Sequence, residues 1–127
     1  MALESHAQSG RTLSYLEIEN EMIRLMNLQE SMTERLAGLA REMSKAEATF
    51  KAAFHVARYN ARTSGEHGMK VTADMAEDIA VIETVDLRTE AEGLRAEHDA
   101  TRQAILAARS NQESLRSLMA SYRESGG

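Results

Sequence analysis

The chain has 127 residues, no proline, no cysteine and only seven glycines, which is the length of one domain without the punctuation that sandwiches, barrels and doubly wound sheets need. The lack of cysteine excludes disulfides, thiolate metal sites and cysteine nucleophiles, and makes a reducing cytoplasmic setting the natural expectation. The formal net charge is -5, so any positive surface has to be local.

The opening residues MALESHAQSG carry Glu4 and His6 and no apolar run of signal-peptide length. No later stretch approaches the ~18 uninterrupted apolar residues of a membrane span, so a soluble protein with no membrane association is expected. Residues 1 to 11 read as a flexible lead. Five aromatic residues, Tyr15, Phe50, Phe54, Tyr59 and Tyr122, are too few for the walls of a large preformed ligand pocket. Alanine, glutamate, arginine, leucine and methionine dominate, as they do in long helices and coiled coils.

From Ile18, alternating steps of four and three give Ile18, Met22, Leu25, Gln29, Met32, Leu36, Leu39, Met43, Ala46, Phe50, Ala53 and Ala57. Every member but Gln29 is apolar. A 3.5-residue period sustained this far predicts a helix over about 12–62 with a left-handed coiled-coil seam. At ~1.5 Å per residue it is on the order of 75 Å long. Leu16, Ile23, Met26 and Leu28 widen the apolar stripe beyond the seam, and an exposed stripe of that breadth is an association surface. The expectation is a homo-oligomer assembled through Leu16, Ile18, Met22, Ile23, Leu25, Met26, Leu28 and Met32. The alternative is a longer bundle within one chain.

The segment TSGEHGM should end this helix, because Gly65 and Gly68 supply the permissive backbone of a C-cap and reversal. After a turn over about 63–72, Thr72 is placed to cap a second helix over about 73–124, with Asp74 near its positive end. Its seam runs Leu87, Ala91, Leu94, His98, Thr101, Ile105, Ala108, Gln112, Leu115, Met119 and Tyr122. Met75, Ile79 and Ile82 sit on another phase, which predicts a register slip between Ile82 and Leu87. Residues 125–127 form a glycine-terminated tail. The predicted fold is all-α, an antiparallel hairpin of two long helices with coiled-coil packing, oligomeric.

Charge is unevenly spread. Residues 1–40 hold three basic and six acidic groups, residues 41–70 six and three, and residues 71–127 six and eleven. Arg41, Lys45, Lys51, Arg58, Arg62 and Lys70 thus make a positive section inside an acidic chain. In the heptad set by the seam, Arg41 and Arg62 fall at f, Lys51 and Arg58 at b and Lys45 at c, all facing away from the packing. Basic side chains so placed can follow a nucleic-acid backbone without disturbing the core. Tyr59 at c is placed to stack a base, and His55 at f to add a proton-dependent charge. The competing reading is a solvated helix face.

The second helix carries Arg88, Arg95, Arg102, Arg109, Arg116 and Arg123 at an unbroken interval of seven, each at e beside the seam. The interval keeps these arginines aligned only in a supercoiled helix. Glu92, Asp99 and Glu113 lie four residues after Arg88, Arg95 and Arg109, the spacing of local ion pairs. Arg102, Arg116 and Arg123 have no such partner and are left to other helices or to phosphates. His98 on the seam reads as a polar register marker.

Enzymatic patterns are absent: there is no HExxH, GxSxG or GxxxxGKS, and His6, His55, His67 and His98 share no metal-site spacing. Asp74 and Asp78, a turn apart and next to His67, are explained by the preference for acid in a first helical turn. No catalysis, metal or cofactor is expected.

From about Lys45 onward, over about two thirds of the chain, Ala57-Arg58, Ser64-Gly65 and Ala107-Ala108-Arg109-Ser110 follow a pattern of lysine- and alanine-rich helix, variable loop and long closing helix. In this the chain resembles the UvsY-type phage recombination mediators. The resemblance implies rings of helical hairpins that bind single-stranded DNA and help a RecA-like recombinase displace single-strand-binding protein, in the host cytoplasm. Arg58 would inherit the DNA contact, and Val56 stands where the family has a second basic residue, leaving Arg62 and Lys51 to compensate.

Overall fold

The structure is a computed structural model that describes residues 13–64 and 70–125. Every regular element among them is a helix: α1 over Tyr15–Thr63, α2 over Ala73–Glu83 and α3 over Val85–Glu124. Gly65, His67 and Gly68, on which the predicted reversal turns, lie outside the described residues, as do His6 and residues 1–11.

Helix α1 starts on a side-chain cap. The Ser14 hydroxyl accepts from the Glu17 backbone N–H at 3.1 Å, and the Ile18 N–H donates to the Ser14 carbonyl, so donors that have no partner within the helix are satisfied. Thr72 does the same for α2, accepting from the Met75 N–H at 3.2 Å. The single second helix expected over 73–124 is two helices, interrupted at Thr84, inside the interval where the phase was predicted to slip. Thr84 is buried, its hydroxyl donates to the Ala80 carbonyl at 2.7 Å, and its backbone leaves helical geometry at φ -110°, ψ 12°. The Thr84 backbone N–H still donates to the same carbonyl at 3.1 Å, so the hydrogen-bond ladder is complete up to the break.

The chain forms two compact units, one of Met1–Arg35 with Thr101–Gly127 and one of Leu36–Ala100. In the first, α1 and α3 pack antiparallel. Ile18 and Leu25 are buried against Ala108 and Leu115, and Leu13, Met22, Met32, Met119 and Tyr122 close around them. The Gln29 amide donates to the Gln112 side-chain carbonyl at 2.8 Å across the two helices, which pairs the two glutamines of the seam with each other. At the open end Tyr122 donates its hydroxyl to the Leu13 carbonyl, and Arg123 donates to the Tyr15 hydroxyl at 3.3 Å. That contact raises the Arg123 guanidinium above its ordinary value.

The second unit is built differently. Its buried residues are Leu39, Ala57, Ala76, Ala80, Thr84 and Ala91, with Phe50 and Phe54 half-buried and their rings 6.1 Å apart. Small side chains at the contacts let helix backbones approach closely. Of the three large apolar residues of α2 that sit on another phase, Ile82 is 73% and Met75 42% exposed and Ile79 is half-buried, while Ala76 and Ala80 are the fully buried pair.

Candidate nucleic-acid interface

Among the described residues no group of three or more His, Asp or Glu is arranged to hold a metal ion, and no helix is long and apolar enough to cross a membrane. What α1 does present is charge. Arg41, Lys45, Lys51, Arg58 and Arg62 are all exposed, since the burial of the seam turns positions b, c and f to solvent, and Lys70 is exposed before α2.

Arg58 is held in place by its own helix. Its guanidinium carbon lies 5.9 Å from the centre of the Phe54 ring, within range of a cation–π attraction, and its Nη2 lies 3.3 Å from Nδ1 of His55. A guanidinium only donates, so Nδ1 of His55 accepts in this contact. Tyr59 is 68% exposed, and its ring is free to stack. His55, Arg58, Tyr59 and Arg62 of α1 line an open groove of about 530 Å³ with Ala73 and Glu77 of α2.

Two further grooves lie between α1 and α3 within the second unit, and their charges differ. One, of about 330 Å³, is lined by Glu47, Phe50, Lys51, Arg88, Ala91, Glu92 and Arg95. The other, of about 490 Å³, sets Lys45 among Glu42, Glu90 and Glu97. Lys51 and Lys45 fall at b and c of the same helix, so they flank the seam on opposite sides. Lys45 therefore sits in acidic company, away from the cations beside Lys51.

Carboxylates neutralise much of the α3 arginine row. Arg88 donates to Glu92 at 3.0 Å, as its spacing predicts. Arg95 instead reaches across to Glu47 of α1, and the Asp99 expected to pair with it lies 3.6 Å from Nδ1 of His98. Glu113 pairs with Arg116 at 2.5 Å, three residues on, so Arg116 is paired and Arg109 is not the partner that spacing suggested. Among the described residues none of Arg41, Lys45, Lys51, Arg58, Arg62 and Lys70 makes an ion pair. Direct pairing among the described residues therefore does not neutralise the basic section of α1.

The proposed association residues divide into two sets. Ile18 and Leu25 are buried within the chain and Met22 and Met32 pack on them, whereas Leu16, Ile23, Met26 and Leu28 are 64, 56, 56 and 39% exposed. Only the second set is open to another molecule.

No family model, no curated protein and no solved structure matches the chain.

Proposed function

We propose that this protein is a non-enzymatic single-stranded-DNA-binding recombination mediator that helps load a RecA-like recombinase in the presence of single-strand-binding protein. The observation that carries the DNA reading is the run of exposed cations on α1 with no carboxylate partner among the described residues, beside an exposed Tyr59. Cations not already neutralised gain most from phosphate contact, because each releases condensed counterions from the strand. An exposed aromatic ring adds sequence-tolerant stacking. Lys51, Arg58, Arg62 and Tyr59 are the main contacts and Arg41 and Lys70 support them, whereas Lys45, set among Glu42, Glu90 and Glu97, contributes little. The mediator role rests on the resemblance in Ala57-Arg58, Ser64-Gly65 and Ala107 to Ser110.

Coiled-coil hairpins joined as a homo-oligomer through Leu16, Ile23, Met26 and Leu28 would set several modest sites along one strand, which raises affinity by multivalency. The test is fluorescence anisotropy of a labelled single-stranded oligonucleotide across a salt series, with wild type beside Arg58→Ala/Arg62→Ala. Wild-type binding that falls with salt, with a logarithmic slope shallower by about 1.4 in the variant, is expected from ~0.7 per lost phosphate contact. No binding at low salt overturns it. The same apolar stripe favours a second reading, a coiled-coil adaptor that seats a host or virion protein on Leu16 to Leu28, for which no salt-sensitive DNA affinity is expected.

A further inference from the structure

We infer that the groove formed by Lys51, Arg88 and Arg95 is a second phosphate-contact segment, masked in the free protein by its own carboxylates Glu47 and Glu92. The inference rests on the DNA-binding reading and extends it from α1 onto α3. Lys51 and Arg58 are seven residues apart and share a helix face, so a strand lying on Arg58 and Tyr59 meets Lys51 roughly 10 Å further along. Lys51 shares its groove with Arg88 and Arg95, whose side chains stay 52% and 62% exposed although each is ion-paired. Three cations and two carboxylates line this groove, whereas a single cation, Lys45, lines the other beside Glu42, Glu90 and Glu97. One flank of the seam thus suits phosphate and the other repels it.

The masking is weakest at Arg88. Arg88 and Glu92 are both more than half exposed, so their ion pair brings little net stability and a phosphate competes for that arginine at small cost; Glu47, with its side chain 26% exposed, holds Arg95 more firmly. A guanidinium offers five donors in a planar fork, which matches a phosphate as well as a carboxylate. Ala91 lines the groove with a methyl group only, leaving room for a backbone to approach.

The test compares wild type, Glu47→Gln/Glu92→Gln, Arg88→Ala/Arg95→Ala and a control, Glu30→Gln/Glu34→Gln, which removes the same net charge from exposed positions in the first unit. The probe is a labelled oligothymidylate strand read by anisotropy across a salt series, with helix content followed by circular dichroism. Glu47→Gln/Glu92→Gln is expected to bind about three- to ten-fold tighter than the control at low salt. Arg88→Ala/Arg95→Ala is expected to flatten the logarithmic salt slope by about 1.4. Equal affinity of Glu47→Gln/Glu92→Gln and the control, with wild-type slope in Arg88→Ala/Arg95→Ala, overturns the masked groove and leaves the α1 site standing. Binding by Glu47→Gln/Glu92→Gln alone supports the groove and overturns the α1 site as sufficient. No binding by any of the four proteins overturns both.

Discussion

The two units share α1 and α3 yet spend their residues on different tasks. The first is held by large aliphatic side chains, Ile18, Leu25, Ile105 and Leu115, and still leaves Leu16, Ile23, Met26 and Leu28 at the surface. The second is held mainly by alanines, Ala57, Ala76, Ala80 and Ala91, and leaves cations and open grooves at its surface. Burial of apolar area is worth roughly 25 cal/mol per Å², so large side chains concentrate cohesion in the first unit. Alanine contributes less per residue but keeps helices close, so charged flanks of neighbouring helices face one groove. Under the proposed function, the first unit would associate and the second would bind the strand.

Substitutions that act on one unit alone put this contrast at risk. The largest effect is expected from Leu25→Ala, which removes a 2% exposed side chain from the aliphatic cluster and should cost about 2–5 kcal/mol in chemical denaturation. In the alanine-built unit the damaging change runs the other way. Ala80→Leu forces extra volume into a contact with no exposed surface and should cost about 1–3 kcal/mol by the same measurement. If Leu25→Ala and Ala80→Leu were both neutral, the two packing styles would have no energetic meaning.

The exposed stripe is next. Leu16→Asp/Ile23→Asp should lower the mass seen in sedimentation velocity while helix content stays intact, because both side chains are more than half exposed. An unchanged mass would take the association role from that face. The smallest effect belongs to surface ion pairs: Arg116→Ala breaks a contact three residues back to Glu113 and should change stability by only about 0.2–0.5 kcal/mol in thermal unfolding.

The long-range packing was legible because it follows a period. Ile18 through Ala57 and Leu87 through Tyr122, chosen by steps of four and three, are all buried or half-buried, polar Gln29 and Gln112 included. Period outweighs the chemistry of any single residue when a stripe must meet a partner for its whole length. Helix α2 shows the limit of that logic. Met75 and Ile82 look like seam residues by size, but the buried contact takes Ala76 and Ala80, and the phase change at Thr84 separates the two rows. A pattern weighted toward large apolar residues overlooks a contact that requires small ones.

The basic section was legible for the same reason as the seam, since fixing the inward face fixes what faces outward. The partners of the α3 arginines were not. Arg95 takes Glu47, 48 residues away in sequence, and local spacing carries no information about a carboxylate on the opposing helix. That cross-helix pair is also what draws attention to the groove beside Lys51, which neither helix announces alone.

The most direct measurement of strand binding on the second unit is photo-cross-linking with a single-stranded oligonucleotide containing halogenated uracil, followed by peptide mapping. Adducts on Tyr59 and on the peptide spanning Lys51 to Arg62 are expected, with none in 15–35 or 101–125. Adducts confined to the first unit, or none at a concentration where the strand is bound, would contradict the assignment of DNA binding to this face of α1.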